Sequence, residues 1–172
     1  MRDVHTDRFL HVVLLLLLGS LLVTRSVALE VVGSVGGYCP SVAARDGYVY
    51  LCEGRGLTVL DARAAGDPVV IERVRLDAGT TCVRLDNDVA YVGTVDGKVR
   101  LYSLADPASP TLLSTITLIG GSLTDAAFEG GHAFFANAGG VEIVKVSDPA
   151  APVAVSRYAL ATVNSGSETR HV

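Results

Sequence analysis

The sequence predicts an all-β protein, a β-propeller of about three four-stranded antiparallel blades with partial strands at its ends. Three observations predict this fold. One unit recurs about every 42 residues, short runs of Val, Tyr, Phe and Leu fill each unit, and turn pairs rich in Gly, Asp and Asn separate the runs. A helical repeat needs apolar residues at helical spacing, and none is present. A β-sandwich is the alternative, but it gives no reason for glycine and proline columns to recur in register.

Residues 1–28 are predicted to be a cleaved export signal. An apolar stretch at residues 12–23 has the length of a secretory core and is shorter than the about 20 residues of a membrane-spanning helix. Ser26 and Ala28 supply the small side chains that signal peptidase accepts, so we predict cleavage after Ala28. An uncleaved anchor is the alternative, because the start of the chain carries little net positive charge. We therefore expect a secreted, periplasmic or cell-surface protein.

Residues 29–172 form the predicted propeller region, with copies at about residues 36–76, 77–118 and 119–160 and a partial fourth copy at 161–172. Several columns recur through the three copies: Tyr50, Tyr91 and Phe134; Gly56, Gly97 and Gly140; Pro68, Pro110 and Pro152; Leu76, Leu118 and Leu160. In the middle copy we predict strands at residues 81–85, 89–94, 98–104 and 111–118. The innermost strands are predicted at residues 40–44, 81–85 and 124–128, where Ser, Thr, Ala and Val predominate.

The end of the third copy, Gly140-Val-Glu-Ile-Val-Lys-Val-Ser-Asp-Pro-Ala-Ala-Pro152, resembles the LVIVD-repeat family of bacterial secreted and surface propellers. The third copy resembles it best and the second well, whereas the first departs because residues 64–68 lack the first proline. The resemblance implies an extracytoplasmic propeller without a general catalytic activity, so it supplies no active residues. Residues 89–102 are also similar to a quinoprotein repeat, but the tryptophan typical of those blades is missing.

The charge pattern argues against two classes of partner. The chain of 172 residues has a formal net charge of -4 and no cluster of Lys or Arg. It therefore lacks the basic surface that binds nucleic acid or an anionic membrane. No second apolar stretch follows the export signal, so we expect no membrane span after cleavage.

The sequence nominates no catalytic, cofactor-binding or metal-ligating residue. Cys39, Cys52 and Cys82 are candidates for one disulfide, since disulfides persist outside the cytoplasm. Their pairing stays open, and three buried thiols are the alternative. A two-residue turn at Asp46-Gly47 would place residue 52 opposite residue 41. His132 is read as a solvated or capping residue beside a turn. Four aspartates are read as turn and strand-end residues that bind nearby amides: Asp61, Asp67, Asp106 and Asp148.

We therefore expect an exported binding scaffold without cofactor that holds a protein or glycan at its blade-top loops and channel mouth. The alternative is a propeller enzyme, of the hydrolase, lyase or quinoprotein kind, whose active residues lie in missing blades. The predicted region holds a little over three repeats, whereas closed propellers have at least about four blades. We expect either a longer gene product or closure of the propeller by self-association, because open strand edges and apolar faces favour association.

Overall fold

The computed structural model of the protein describes residues 38–64 and 66–160. In this part of the chain, twelve strands form three four-stranded antiparallel sheets, each with its strands in chain order. We call these sheets blades 1, 2 and 3. The fold is that of an incomplete β-propeller, as predicted.

The strands of the three blades have similar lengths. Blade 1 comprises β1 (Ser41–Arg45), β2 (Tyr48–Glu53), β3 (Gly56–Asp61) and β4 (Val69–Arg75). Blade 2 comprises β5 (Thr80–Asp86), β6 (Val89–Thr94), β7 (Lys98–Ser103) and β8 (Thr111–Thr117). Blade 3 comprises β9 (Asp125–Glu129), β10 (His132–Asn137), β11 (Gly140–Lys145) and β12 (Val153–Ala159). The strands predicted for the middle copy agree with these bounds to within about one residue. The predicted export signal, its cleavage after Ala28 and the partial copy at 161–172 lie outside the described residues.

Tight turns follow the innermost strand of each blade. Asp46 and Gly47 have φ angles of 52° and 78°, and Gly130 and Gly131 have 56° and 73°. Positive φ at both central residues matches the right-handed twist of the flanking strands, which is why such pairs favour Gly, Asn and Asp. Ser41 lies opposite Cys52, which confirms the predicted register.

The glycine column needs one correction. Gly56 pairs with Arg75 and Gly140 with Ala159, but in blade 2 the residue at this position is Lys98, which pairs with Thr117. Gly97 instead lies in the turn, one residue earlier. The reason is that β6 and β7 are joined by the three residues 95–97, whereas two residues join the corresponding strands of blades 1 and 3.

The blades have two ends. One end carries the turns at 46–47, 87–88 and 130–131 and the proline-containing loops that follow β3, β7 and β11, and we call it the proline end. The opposite end carries the turns before β3, β7 and β11 and the connections between blades, at 76–79 and 118–124, and we call it the connector end.

The apolar core lies between the blades rather than within one. Side chains alternate across each strand, so one face of blade 2 packs on blade 1 and the other on blade 3. The first cluster joins Tyr50, Leu57 and Val59 to Ala90, Val92 and Tyr102. The second joins Tyr91, Val99 and Leu101 to Ala133, Phe135 and Val144. Every residue of β6 is buried because both its faces are covered.

The leucine column shows where a further blade would pack. Leu76 belongs to the first cluster and is 4% exposed, and Leu118 belongs to the second and is 5% exposed. In each repeat the amide of this leucine donates to a carbonyl of the turn before the third strand, so the local structure repeats. Leu160 nevertheless is 60% exposed, because no sheet of the described residues covers that face of blade 3.

Candidate binding surfaces

Hydroxyl groups tie the innermost strands of neighbouring blades together. The Ser41 hydroxyl accepts from the amide of Val83 at 3.1 Å and donates to its carbonyl oxygen at 3.3 Å. In the next blade the Thr81 hydroxyl donates to the carbonyl oxygen of Leu123 at 2.8 Å. These bonds satisfy backbone groups that a sheet edge would leave open, and they hold the blades side by side.

The innermost strands also carry an ion pair that sequence reasoning missed. The Arg84 guanidinium donates to the Asp125 carboxylate at 2.7 Å and to the Ser41 hydroxyl at 3.1 Å, so this side chain links all three blades. Ser, Thr, Ala and Val predominate on these strands as predicted, but the composition does not show that Arg84 and Asp125 pair. Arg84 lay within the predicted strand, but only the packing of three blades reveals its partners. Because its bonds are internal, the geometry indicates a brace between blades.

At the connector end, a buried carboxylate anchors the connection into blade 3. Glu142 is 8% exposed, and it accepts from the amides of Ile119 and Gly120 at 3.1 and 2.9 Å and from the Asn137 side chain at 2.7 Å. Burial by itself would raise the pKa of Glu142, but the three donors outweigh it, so the pKa of this carboxyl is lower than usual. The anchored connection presents the Ile119 side chain outward.

Large apolar side chains are exposed at the connector end. Ile119 is 78% exposed and Val95 is 62% exposed, and both lie in loops at this end. Tyr38, which precedes β1, and Leu160, which follows β12, are 81% and 60% exposed. Four of the most exposed large apolar side chains among residues 38–64 and 66–160 therefore lie at one end of the blades. Apolar side chains exposed at one end of the blades are candidates for a protein–protein contact surface.

At the proline end, an arginine fills the crevice between blades 1 and 2. Arg45 ends β1, and its guanidinium donates to the Asp88 carboxylate at 2.6 Å and to the backbone carbonyl of Asn87. It also pairs with Asp46 at 3.0 Å. The guanidinium thus joins the turns of two neighbouring blades, and the hydrogen bond to Asp88 raises the pKa of Arg45.

The corresponding crevice between blades 2 and 3 is a cavity of about 500 Å³. Asp86, which ends β5, occupies the position that Arg45 occupies at the end of β1. Asp86 and Glu129 line the cavity together with Tyr91 and Phe128, and no Lys, Arg or His is among the lining residues. Asp88 also lines the cavity, but its carboxylate is bound by Arg45. The ring centroids of Tyr91 and Phe128 are 4.5 Å apart. The cavity is therefore acidic with an aromatic wall.

Equivalent tyrosines behave differently in the two crevices. The Tyr50 hydroxyl donates to the carbonyl oxygen of Pro107 at 3.0 Å. In the next interface the equivalent carbonyl, that of Pro149, accepts instead from the Ser114 hydroxyl at 2.6 Å. Tyr91 is 1% exposed, yet no described residue hydrogen-bonds its hydroxyl. Among the described residues, every fully buried side-chain polar atom has a hydrogen-bond partner. Because the Tyr91 hydroxyl has none, it is not fully enclosed, and it faces the open space of the cavity that Tyr91 lines.

The three cysteines are free thiols in the structure, one exposed and two buried. Burial raises the pKa of Cys52 to about 12 and also raises that of Cys82, so both thiols stay protonated at neutral pH. The Cys39 sulfur donates to the carbonyl oxygen of Ser41. Whether two of them pair after export stays a prediction, which mass mapping of the unreduced protein would test.

The remaining polar residues of interest lie in turns. The carboxylates of Asp61, Asp106 and Asp148 accept from amides two residues later, as predicted for turn residues. The His132 ring lies 3.0 Å from the carbonyl oxygen of Gly130 in its own turn. Within residues 38–64 and 66–160, no group of three or more His, Cys, Asp or Glu side chains has the arrangement of a metal site. The same residues contain no helix long and apolar enough to cross a membrane.

Comparison with known families identifies the repeat. A family model described as LVIVD repeat matches residues 36–75 and 120–160, which are the first and third copies. The first copy therefore matches although it lacks the first proline of the loop, whereas the second copy, expected to resemble the family well, is not among the matched residues. No curated protein matches the chain.

Two solved structures support the fold. The crystal structure of the computationally designed Ika4 protein is similar with a TM-score of 0.60 and 12% identity, over 76% of this chain and 79% of that one. The crystal structure of the computationally designed Ika8 protein is similar with a TM-score of 0.53 and 14% identity, over 63% of this chain and 33% of that one. At these identities the likeness concerns the fold alone.

Proposed function

The chain is an LVIVD-repeat protein with a propeller-like fold, and on this premise we propose that it is an exported scaffold that binds a partner through the loops of the connector end. The partner is a protein or a glycan, and the scaffold performs no catalysis. The observation that carries this proposal is the exposure of Val95 and of Ile119, which lies on a connection that Glu142 anchors. Rigid strands that present differing loops are the usual basis of binding by repeat folds.

The loops of the connector end differ among the blades although the sheets repeat. Gly54-Arg55 joins the middle strands of blade 1, Val95-Asp96-Gly97 those of blade 2 and Ala138-Gly139 those of blade 3. The connection between blades also lengthens, from residues 76–79 to residues 118–124. Variation confined to loops leaves the inter-blade core unchanged, so a binding surface can diverge without cost to folding.

Site-directed cross-linking tests the proposal. A photoreactive residue at position 119 would be compared with one at position 112, where Leu112 is 55% exposed on the outer strand of blade 2. We expect a discrete cross-linked partner, or a glycan hit on an array, that depends on position 119 and is lost in Val95→Asp. Equal cross-linking from positions 119 and 112 would contradict the proposal.

The enzyme alternative is tested with the same protein. We expect no turnover of esterase, glycosidase, lactonase or dye-linked dehydrogenase substrates. If turnover were observed and were lost in Arg84→Gln or Asp125→Asn at an unchanged melting temperature, the scaffold proposal would be wrong. The protein would then be an enzyme that uses residues of the innermost strands.

A further inference from the structure

We propose that the cavity between blades 2 and 3 at the proline end is a binding site for a guanidinium group. The site lies at the end opposite to the connector-end surface, so it goes beyond the function proposed above. Binding at one end can fail without affecting the other.

The first interface shows what this position in the fold accommodates. Between blades 1 and 2 the equivalent space holds the Arg45 guanidinium, which bonds to Asp88 and to the carbonyl of Asn87. Between blades 2 and 3 the residue at the position of Arg45 is Asp86, whose short side chain bonds to the neighbouring Asn87 at 3.1 Å. The second crevice therefore has no guanidinium among its lining residues. The carboxylate of Asp86 occupies the position from which Arg45 supplies a guanidinium in the first crevice.

The lining of the cavity matches the chemistry of a guanidinium. Asp86 and Glu129 provide carboxylate acceptors, which bind guanidinium groups through charge-assisted hydrogen bonds. The partly exposed Phe128 ring, which packs on Tyr91, provides an aromatic surface, on which a planar guanidinium stacks better than a compact ammonium. A volume of about 500 Å³ lies within the range of small-molecule sites and exceeds what one guanidinium needs.

A second, independent observation points to a ligand. The Tyr91 hydroxyl is part of a side chain that is 1% exposed, and it has no partner among the described residues. Its counterpart Tyr50 has a partner, the carbonyl of Pro107. In the second interface Ser114 takes the equivalent carbonyl and leaves the Tyr91 hydroxyl facing the cavity. Because it opens onto the cavity, this hydroxyl is left to bond to water or to a ligand inside the cavity.

The experiment is a titration of the purified, isotope-labelled protein with ethylguanidinium, followed by NMR, with N-ethylurea as the neutral probe of the same shape. We expect saturable shifts at Asp86, Tyr91 and Glu129, and an affinity at least about tenfold higher for ethylguanidinium than for N-ethylurea. Asp86→Asn should weaken ethylguanidinium binding about tenfold. Asp67→Asn, which removes an exposed carboxylate from the same end, is the matched control and should leave the affinity unchanged.

Asp86→Arg is the decisive variant because it supplies the guanidinium from within the chain, as Arg45 does in the first interface. We expect it to abolish the response to ethylguanidinium. Should this variant fail to fold, Tyr91→Phe and Glu129→Gln provide the test, each with a loss of affinity of about threefold or more. Equal binding of the two probes, unchanged binding in every variant, or shifts confined to other residues would each refute the proposal.

A blocked Gly-Arg-Gly peptide distinguishes the source of the group. Binding of the peptide at least as tight as that of ethylguanidinium assigns the site to an arginine side chain of a protein partner. Binding of ethylguanidinium without the peptide assigns it to a free guanidinium compound.

Discussion

The two interfaces between blades use equivalent apolar side chains but different polar ones. Tyr50 and Tyr91, like Val59 and Leu101, occupy matching positions in the two buried clusters. At the proline end, however, Arg45 joins blades 1 and 2, whereas Asp86 leaves a cavity between blades 2 and 3. The difference teaches that the apolar columns specify how the blades pack. The polar positions at the proline end can change without disturbing that packing, and so they can acquire a binding role.

The largest effect is expected where the two interfaces are alike. Leu101 is fully buried between blades 2 and 3, so Leu101→Asp would bury an unpaired charge and lower the free energy of unfolding by about 4 kcal/mol or more. Val59→Asp should have a similar effect in the first interface. The same change at the exposed Leu112 should cost less than about 0.5 kcal/mol. Urea denaturation followed by circular dichroism provides the measurement, and equal midpoints for all three variants would show that the faces are assigned wrongly.

A smaller effect is expected at a polar position that differs between the interfaces. Arg100 in blade 2 and Glu142 in blade 3 are equivalent and both buried, but Arg100 bonds to Thr94, whereas Glu142 anchors Ile119 and Gly120. Glu142→Gln removes an acceptor and leaves an amide without a partner, which should cost about 1–3 kcal/mol at pH 7. Exposed Glu129→Gln on the same blade is the control for stability.

The pH dependence of that cost has a defined sign. The pKa of Glu142 is lower in the folded protein than its usual value, so its contribution to stability is present above the unfolded pKa, about 4.3. It is lost as the pH falls through the lower folded pKa. The difference in unfolding free energy between wild type and Glu142→Gln should therefore shrink below about pH 4. If this difference in unfolding free energy stayed constant from pH 7 to pH 3, the interpretation that an ionised Glu142 carboxylate anchors the connection would be wrong.

The open face of blade 3 extends the comparison to a third interface. Phe134 follows Tyr50 and Tyr91 in the same column but is only half-buried, because no described sheet covers it. We propose that this face packs on blade 1 of a second copy, as blade 2 packs on blade 3 within the chain. Phe134→Asp should then weaken self-association by at least about tenfold, which corresponds to about 1.4 kcal/mol. Light scattering over a concentration series measures it, and a wild-type protein that stays monomeric would refute this proposal.

The sequence predicts the blades well and their contacts poorly. Packing of one blade on the next demands the same apolar positions each time, so columns such as Tyr50, Tyr91 and Phe134 are visible as repeats. The partner of Arg45, in contrast, lies about 42 residues away in another blade and depends on which side chain the next turn presents. The extra residue in the turn at 95–97 also shifts the spacing, which is why the glycine column of the sequence places Gly97 one residue out of register.

The smallest expected effect is the sharpest test of the comparison, because it removes the same atom from both interfaces. Tyr50→Phe deletes the hydroxyl that donates to Pro107, leaves that carbonyl without its donor, and should cost about 1 kcal/mol. Tyr91→Phe deletes a hydroxyl that has no protein partner, so the free energy of unfolding should change by less than about 0.5 kcal/mol. Both changes keep the ring, so packing in the two clusters is preserved and the difference reports the hydrogen bond alone. Equal costs for the two variants, measured by urea denaturation, would show that Tyr91 bonds within the protein and that the cavity has no free hydroxyl oxygen to accept from a ligand.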